Sequence, residues 1–252
     1  MLIGKKEFDL NNNCYIMGIL NFTPDSFSDG GKFNNIDSAL KRVERMINDG
    51  MNIVDIGGES TRPNYIKISD EEEISRIVPI VEAVKQRFDI PVSLDTYKYK
   101  VAEAGIKAGI DLINDIWGLR YDNGEMAELI SKNNLPCCLM HNRNNQKYNC
   151  FMDDMIFDMK QTVDIALKAG IKKDNIILDA GIGFAKSYEN NLEAIDRIDE
   201  FRKCLGYPVL LGTSRKSVIG LTLNLPSDER TEGTIATTVA GVIKGVSMVR
   251  VH

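Results

Sequence analysis

One rhythm constrains this chain more than any other feature. A short apolar run is followed by an amphipathic stretch of helical spacing, and then the next apolar run begins. The runs are YIMGILN at 15–21, NIVDIGG at 52–58, IPVSLD at 90–95, IDLINDI at 110–116, LPCCLMH at 135–141, NIILDAG at 175–181, YPVLLG at 207–212 and SMVRVH at 247–252, eight in all. Near-continuous apolar runs of this length fit strands buried on both faces, as in a parallel sheet.

Helical patterns fill the gaps. Ile36, Ala39, Leu40, Val43 and Ile47 share one helical face, and Gly50 follows as a stop. Ser69 with Glu72 forms a capping box that opens a helix carrying Ile74, Ile77, Val78, Val81 and Val84. The acids at 70–73 fall in its first turn, where they suit the helix dipole, and no catalytic role is assigned to them. Gly109, Gly170, Gly206 and Gly245 close four later helices. Strand–helix alternation with right-handed crossovers yields a doubly wound sheet or an eight-stranded barrel. Even spacing over 252 residues, and the lack of a G-x-G-x-x-G after the first run, favour an α/β TIM (β/α)8 barrel, one domain over residues 1–252. Nothing follows the eighth run beyond His252, so the eighth helix is expected to be missing from this chain and an apolar stripe to lie uncovered.

Bulk properties exclude several classes. A net charge of −5 argues against nucleic-acid binding as the main task, yet leaves room for an anionic small molecule. No apolar run approaches the ~20 residues that span a bilayer, so no membrane role is expected. The start, MLIGKKEFDLNNN, lacks a signal-peptide pattern, and Lys5 and Lys6 read as solvated charge. Five cysteines without a C-x-x-C read as free thiols in a reducing cytoplasm.

Every run ends in polar chemistry: Asn21, Asp55 with Glu59, Asp95, Asn114, His141, Asp179, Thr213 with Ser214, and Arg250 with His252. In a barrel those ends meet on one face, where barrel enzymes place their active sites. Asp95, Asn114 and Asp179 offer acceptors to a flat heterocycle with amidine-like N–H groups, and Lys216 suits a ring carbonyl. Met140, the last apolar residue of its run, either packs in the core, as methionine more often does, or floors such a pocket. His141 either caps its strand or touches substrate. Phe22 and Trp117 read as packing residues. Only His141 and His252 are histidines, and there is no H-E-x-x-H and no G-x-S-x-G, so neither zinc nor a serine nucleophile is supported.

Seven segments in order, MGILNFTPDSFSDGG, IVDIGGESTRP, SLDTYK, LINDIWG, LDAGIGFAK, GTSRKS and MVRVH, resemble the dihydropteroate synthases over essentially the whole chain. The resemblance implies a TIM barrel that joins 4-aminobenzoate to 6-hydroxymethyl-7,8-dihydropterin pyrophosphate in folate biosynthesis, releasing pyrophosphate. Carried over residue by residue, it puts the pterin on Asp95, Asn114, Asp179 and Lys216, with Met140, Phe184 and Gly212 completing the pocket and Arg250 stacked over the ring. It implies Mg²⁺ on the pyrophosphate held by Asn21, with His252 and Thr61 near the phosphates. Thr61, Arg62, Pro63, Ser214 and Phe27 are implied for aminobenzoate, where sulfonamides are expected to compete. Asp95, Lys216, Arg250 and His252 are implied as the catalytic groups, and a homodimer as the assembly. Gly30 and Gly31 would let the segment carrying Phe27 close over the site.

The sequence departs from the family pattern in two places. Ala180 and Ala185 stand where the family motif D-P-G-x-G-F-G-K has Pro and Gly, and NRNN follows His141 where many relatives have MRG. Two other readings share the Asp/Asn/Asp pterin floor: a pterin-binding methyltransferase domain and a non-catalytic pterin binder.

Overall fold

The computed structural model describes residues 1–22, 32–59 and 67–252. Phe27, Gly30, Gly31, Thr61, Arg62 and Pro63 lie outside the described residues. Eight strands, β3 (Tyr15–Asn21), β4 (Ile53–Gly57), β5 (Val92–Asp95), β6 (Leu112–Asp115), β7 (Cys137–Met140), β8 (Ile176–Asp179), β9 (Val209–Leu211) and β10 (Met248–Val251), form a closed barrel in the order β10-β3-β4-β5-β6-β7-β8-β9. All neighbouring pairs are parallel. Each strand coincides with one of the eight apolar runs, β3 in full and the other seven trimmed at their ends. Pro91, Pro136 and Pro208 explain part of the trimming, since proline cannot donate to a ladder. Their carbonyls still accept from the neighbouring strands, from Val54 N at 3.1 Å, Ile113 N at 3.2 Å and Leu178 N at 3.0 Å.

Helices α1 (Lys32–Asn48), α2 (Asp70–Arg87), α3 (Tyr99–Ala108), α4 (Glu125–Lys132) and α5 (Phe151–Lys168) follow the first five barrel strands. The next two connections each carry a pair, α6 (Tyr188–Asp196) with α7 (Ile198–Leu205), and α8 (Ser217–Leu223) with α9 (Thr231–Ile243). Ser69 caps α2 as its sequence requires, accepting from Glu72 N at 3.2 Å. Gly109 closes α3 in the left-handed region at φ 101°, which a side chain would resist. The largest core lies between strands and helices, running from Leu20 and Val43 through Ile77, Leu94 and Met155 to Phe201 and Leu211.

A second core fills the lower barrel. Met17, Ile53, Leu112, Cys138, Ile177, Leu210 and Met248 pack there with Ile3, Phe8 and Leu10. Ile3 comes from a small antiparallel hairpin, β1 (Leu2–Ile3) and β2 (Lys6–Glu7), which the apolar rhythm does not show, and Phe8 and Leu10 from the segment that follows it. The hairpin closes the N-terminal end of the barrel, leaving the opposite end for chemistry. Lys5 and Lys6 are exposed on it.

Uncovered apolar side chains do occur. Leu221 and Leu223 on α8, with Ile235, Val239, Val242 and Ile243 on α9, are exposed. All five cysteines are free thiols. Among the described residues no helix is long and apolar enough to cross a membrane.

Candidate active site

Strand register assembles the site. Asp95 pairs with Asn114 across β5–β6, Met140 with Asp179 across β7–β8, and Asn21 with Gly57 across β3–β4. These residues stand at or near the C-terminal ends of their strands, so their side chains share one end of the barrel. A Cβ on Gly57 would meet Asp95 Cβ at 3.6 Å and Asn21 Oδ1 at 3.7 Å, which puts Asn21 beside the pocket carboxylate.

The centre is a buried charge cluster. Arg250 donates from Nε to Asp55 Oδ2 at 2.6 Å and from Nη2 to Asp95 Oδ2 at 2.5 Å. Asn114 Nδ2 donates to the same Asp55 oxygen at 3.1 Å. Arg250, expected over a ring, is thus bound here between two carboxylates. Asp55 is fully buried. It ranked only as one polar strand residue in the sequence, and no role was assigned to it. Its signal was available: a carboxylate inside an otherwise apolar strand requires a buried cation or buried N–H donors. Asp95 Oδ1 and Asp55 Oδ1 are buried without a hydrogen-bond partner. Native interiors seldom leave such acceptors unmet, so N–H groups of a ligand fit them.

Electrostatics follow from burial. Burial pushes the Asp95 carboxyl up to about 7, with Arg250 opposing and Asp55 reinforcing the rise. Asp179 is also raised by burial, against the pull of Lys216 and of Gly181 N–H. Burial brings Lys216 down to about 8, with Asp179 opposing. Burial disfavours the Arg250 charge as well, but Asp55 and Asp95 more than restore it. The site therefore holds groups poised to exchange charge with a ligand near neutral pH.

The floor is apolar. Tyr97, Ile116 and Met140 form a small buried cluster, with Trp117 and Phe184 packed on it. Lys216 Nζ lies 4.9 Å from the Phe184 ring centre and donates to Ile182 O. A Cβ on Gly212 would lie 3.7 Å from Lys216 Nζ and 3.8 Å from Arg250 Cβ, which places Gly212 between the two cations. At the rim, Ser214 Oγ accepts from His252 N at 3.3 Å and lies 2.9 Å from His252 Nδ1.

His141 is resolved in favour of an interior role. It is fully buried, 3.0 Å from Asp158 and 2.9 Å from Lys186. Glu73 lies in the first turn of α2 as expected, but it is buried and ion-paired. Lys98 donates to Glu73 Oε2 and to Glu59 Oε2, each at 2.8 Å, with all three side chains buried.

No cluster of three or more His, Cys, Asp or Glu able to hold a metal occurs among the described residues. Mg²⁺ commonly takes one or two protein oxygens plus substrate phosphates and water. Asn21 Oδ1, a hard amide oxygen at the pocket edge, fits such a role.

A parallel barrel whose strand ends carry two or three acceptor groups, a lysine and an arginine defines a class. The chain belongs to the family described as pterin binding enzyme, whose profile matches residues 17–252. A dihydropteroate synthase of Clostridium beijerinckii is 61% identical, the match covering 100% of this chain and 93% of that protein. A Clostridium difficile dihydropteroate synthase, solved in the presence of pteroic acid, superposes with a TM-score of 0.94 at 48% identity, covering 98% of this chain and 93% of that one. The Xanthomonas albilineans dihydropteroate synthase solved with 4-aminobenzoic acid gives 0.90 at 34% identity, covering 96% and 88%. Within the pterin-binding family, this chain stands with the dihydropteroate synthases.

Proposed function

We propose that this barrel condenses 6-hydroxymethyl-7,8-dihydropterin pyrophosphate with 4-aminobenzoate, giving 7,8-dihydropteroate and pyrophosphate for folate biosynthesis. The observation that carries the reading is the buried, unpartnered Asp95 Oδ1, in register with Asn114 and at the same barrel end as Asp179, an acceptor set matched to the N–H edge of a pterin. Lys216 faces the ring carbonyl, Met140 and Phe184 hold one face of the ring, and Gly212 lies between Lys216 and Arg250. Arg250 leaves the two carboxylates and stacks over the other face. Aminobenzoate is assigned to Thr61, Arg62, Pro63, Ser214 and Phe27 on the strength of their motifs.

In the reaction the bond from the exocyclic methylene to the pyrophosphate oxygen breaks, and its electron pair leaves with the pyrophosphate. Asp95 and Asp179 stabilise the positive charge that spreads into the pterin ring. Arg250 and His252 stabilise the departing anion. Mg²⁺ held by Asn21 supplies Lewis-acid stabilisation of the pyrophosphate when bound. The aminobenzoate nitrogen then forms the new C–N bond and loses a proton. Its amine is already unprotonated near neutral pH, so no strong general base is required. The segment carrying Phe27 covers the site and keeps water from the cation.

Two further parts of the reading concern assembly and location. The exposed stripe Ile235, Val239, Val242 and Ile243 on α9 supports a homodimer. Five free thiols support a reducing, cytoplasmic setting.

Calorimetry tests the two-substrate reading. 4-Aminobenzoate is expected to bind only after pyrophosphate with Mg²⁺, or the pterin substrate, has been added. A protein that takes up pterin and shows no aminobenzoate heat under either condition is a carrier, and the reading fails.

A further inference from the structure

Behind the pterin pocket lies a buried relay that meets the pocket only through backbone carbonyls. Lys186 is 5% exposed, and its ammonium has three protons and three acceptors. Nζ lies 2.9 Å from Gly181 O, 3.1 Å from Phe184 O and 2.9 Å from His141 Nδ1. Burial brings Lys186 down to about 7 and His141 down to about 4, so the ring is neutral, and toward a charged Lys186 its Nδ1 offers a lone pair. The ring proton is therefore on Nε2, which donates to Asp158 Oδ2 on α5 at 3.0 Å. Asp158 is held in turn by Arg143 Nε at 2.5 Å. Burial works against the Asp158 charge, yet His141 and Arg143 keep its carboxyl below the usual range.

The loop this ammonium grips is unfavourable on its own. Gly181, Gly183 and Ala185 all have left-handed backbones, at φ 66°, 85° and 48°. For Ala185 that conformation carries a steric cost that glycine would avoid. A Cβ on Gly181 would come within 2.0 Å of His141 O, so the loop is also pressed against the end of β7. Gly181 N donates to Asp179 Oδ1 at 2.7 Å, Phe184 packs on the floor with Met140, and Lys216 donates to Ile182 O. Three groups assigned to the pterin thus depend on one short stretch of backbone, and Lys186 ties two of its carbonyls together.

We propose that Lys186 is the positioning residue for the pterin half of the site, with His141 and Asp158 fixing its third hydrogen bond. This rests on the assignment of Asp179, Phe184 and Lys216 to the pterin. The relay has no contact with Ser214, the one described residue assigned to aminobenzoate, so its loss falls on one substrate. Positioning groups of this kind set the orientation of the residues that touch ligand.

The test compares variants by calorimetry with 6-hydroxymethylpterin and by steady-state kinetics with both substrates. Lys186→Met is expected to raise the pterin Kd and the KM for the pterin substrate by about 10- to 100-fold, as loss of an outer-shell partner does elsewhere. The aminobenzoate KM should stay unchanged within error. His141→Gln keeps an acceptor toward Lys186 and a donor toward Asp158, and should retain near-parent pterin binding. His141→Leu fills space without either bond and should behave as Lys186→Met does. A role in packing alone would make Leu at least as good as Gln and would shift both KM values together. A parent protein that binds pterin, with Lys186→Met binding equally well, overturns the relay while leaving the pterin assignment intact. A parent that binds no pterin overturns both. Should Lys186→Met fail to fold, the Gln and Leu pair at position 141 still decides, and equal pterin affinity in that pair overturns the relay.

Discussion

Asp95→Asn should lower kcat by about a hundred- to a thousand-fold, the ~3–4 kcal/mol that one preorganised electrostatic partner typically supplies. The change keeps size and shape but removes a negative charge from a buried site that also holds Arg250 and Lys216. If positive charge develops on the pterin, the loss belongs mainly to the chemical step, because the neutral ground state gains less from the carboxylate. Pterin affinity should change by only about 1 kcal/mol, the scale of one altered hydrogen bond. Single-turnover kinetics beside equilibrium titration separates the two, and equal losses in rate and affinity would contradict a cationic ring.

The same variant carries a pH signature. With its carboxyl pushed up to about 7 by burial, Asp95 loses charge as pH falls through that value. Lys216, brought down to about 8, loses charge as pH rises past it. Asp95 gives the parent kcat/KM profile its acid limb and Lys216 its alkaline limb, with Lys186, brought down to about 7 by burial, broadening the alkaline side. In Asp95→Asn the acid limb attributable to Asp95 disappears and the alkaline limb remains.

The largest stability effect is expected at Lys98. Its ammonium bonds to Glu59, Glu73 and the Ile68 carbonyl, while Tyr97 OH donates to Glu59 Oε1 at 2.7 Å. Burial works against the Lys98 charge, but the two glutamates hold its pKa above the ordinary value. Lys98→Met leaves two carboxylates buried without their shared cation. Breaking a buried pair from one side costs about 3–5 kcal/mol, so the melting temperature should fall by about 6–20 °C. The triple variant Lys98→Met, Glu59→Gln, Glu73→Gln should recover much of that loss, since no uncompensated charge remains. A thermal melt in which the single variant matches the parent would contradict the account of this cluster.

Much of the barrel was legible because each strand is buried on both faces and so writes itself as an apolar run. YIMGILN matches β3 residue for residue. The N-terminal hairpin was not legible. Its strands are two residues each, with polar side chains outward, and the plug residues Ile3, Phe8 and Leu10 have no periodicity to reveal them. Strand-end chemistry was legible as a set, since parallel strands bring Asp95, Asn114 and Asp179 to one face whatever the register details. Pairing across the barrel was not, because Asp55 and Arg250 are 195 residues apart and only closure joins them. Glu73 shows a signal that went unused. It shares a helical face with Ile77, Ile80 and Val84, and an acid on a buried stripe must find a cation. His141 and Lys186 gave no local clue to their contact, which depends on the β7 and β8 ends lying side by side.

The account stands most directly on product formation. The purified chain is incubated with 6-hydroxymethyl-7,8-dihydropterin pyrophosphate, 4-aminobenzoate and Mg²⁺, and both products are followed by mass and by a pyrophosphate assay. The expected result is 7,8-dihydropteroate and pyrophosphate in equal amounts, with neither formed when Mg²⁺ is chelated. Pterin uptake without any dihydropteroate, or pyrophosphate release that aminobenzoate does not convert into product, would contradict it.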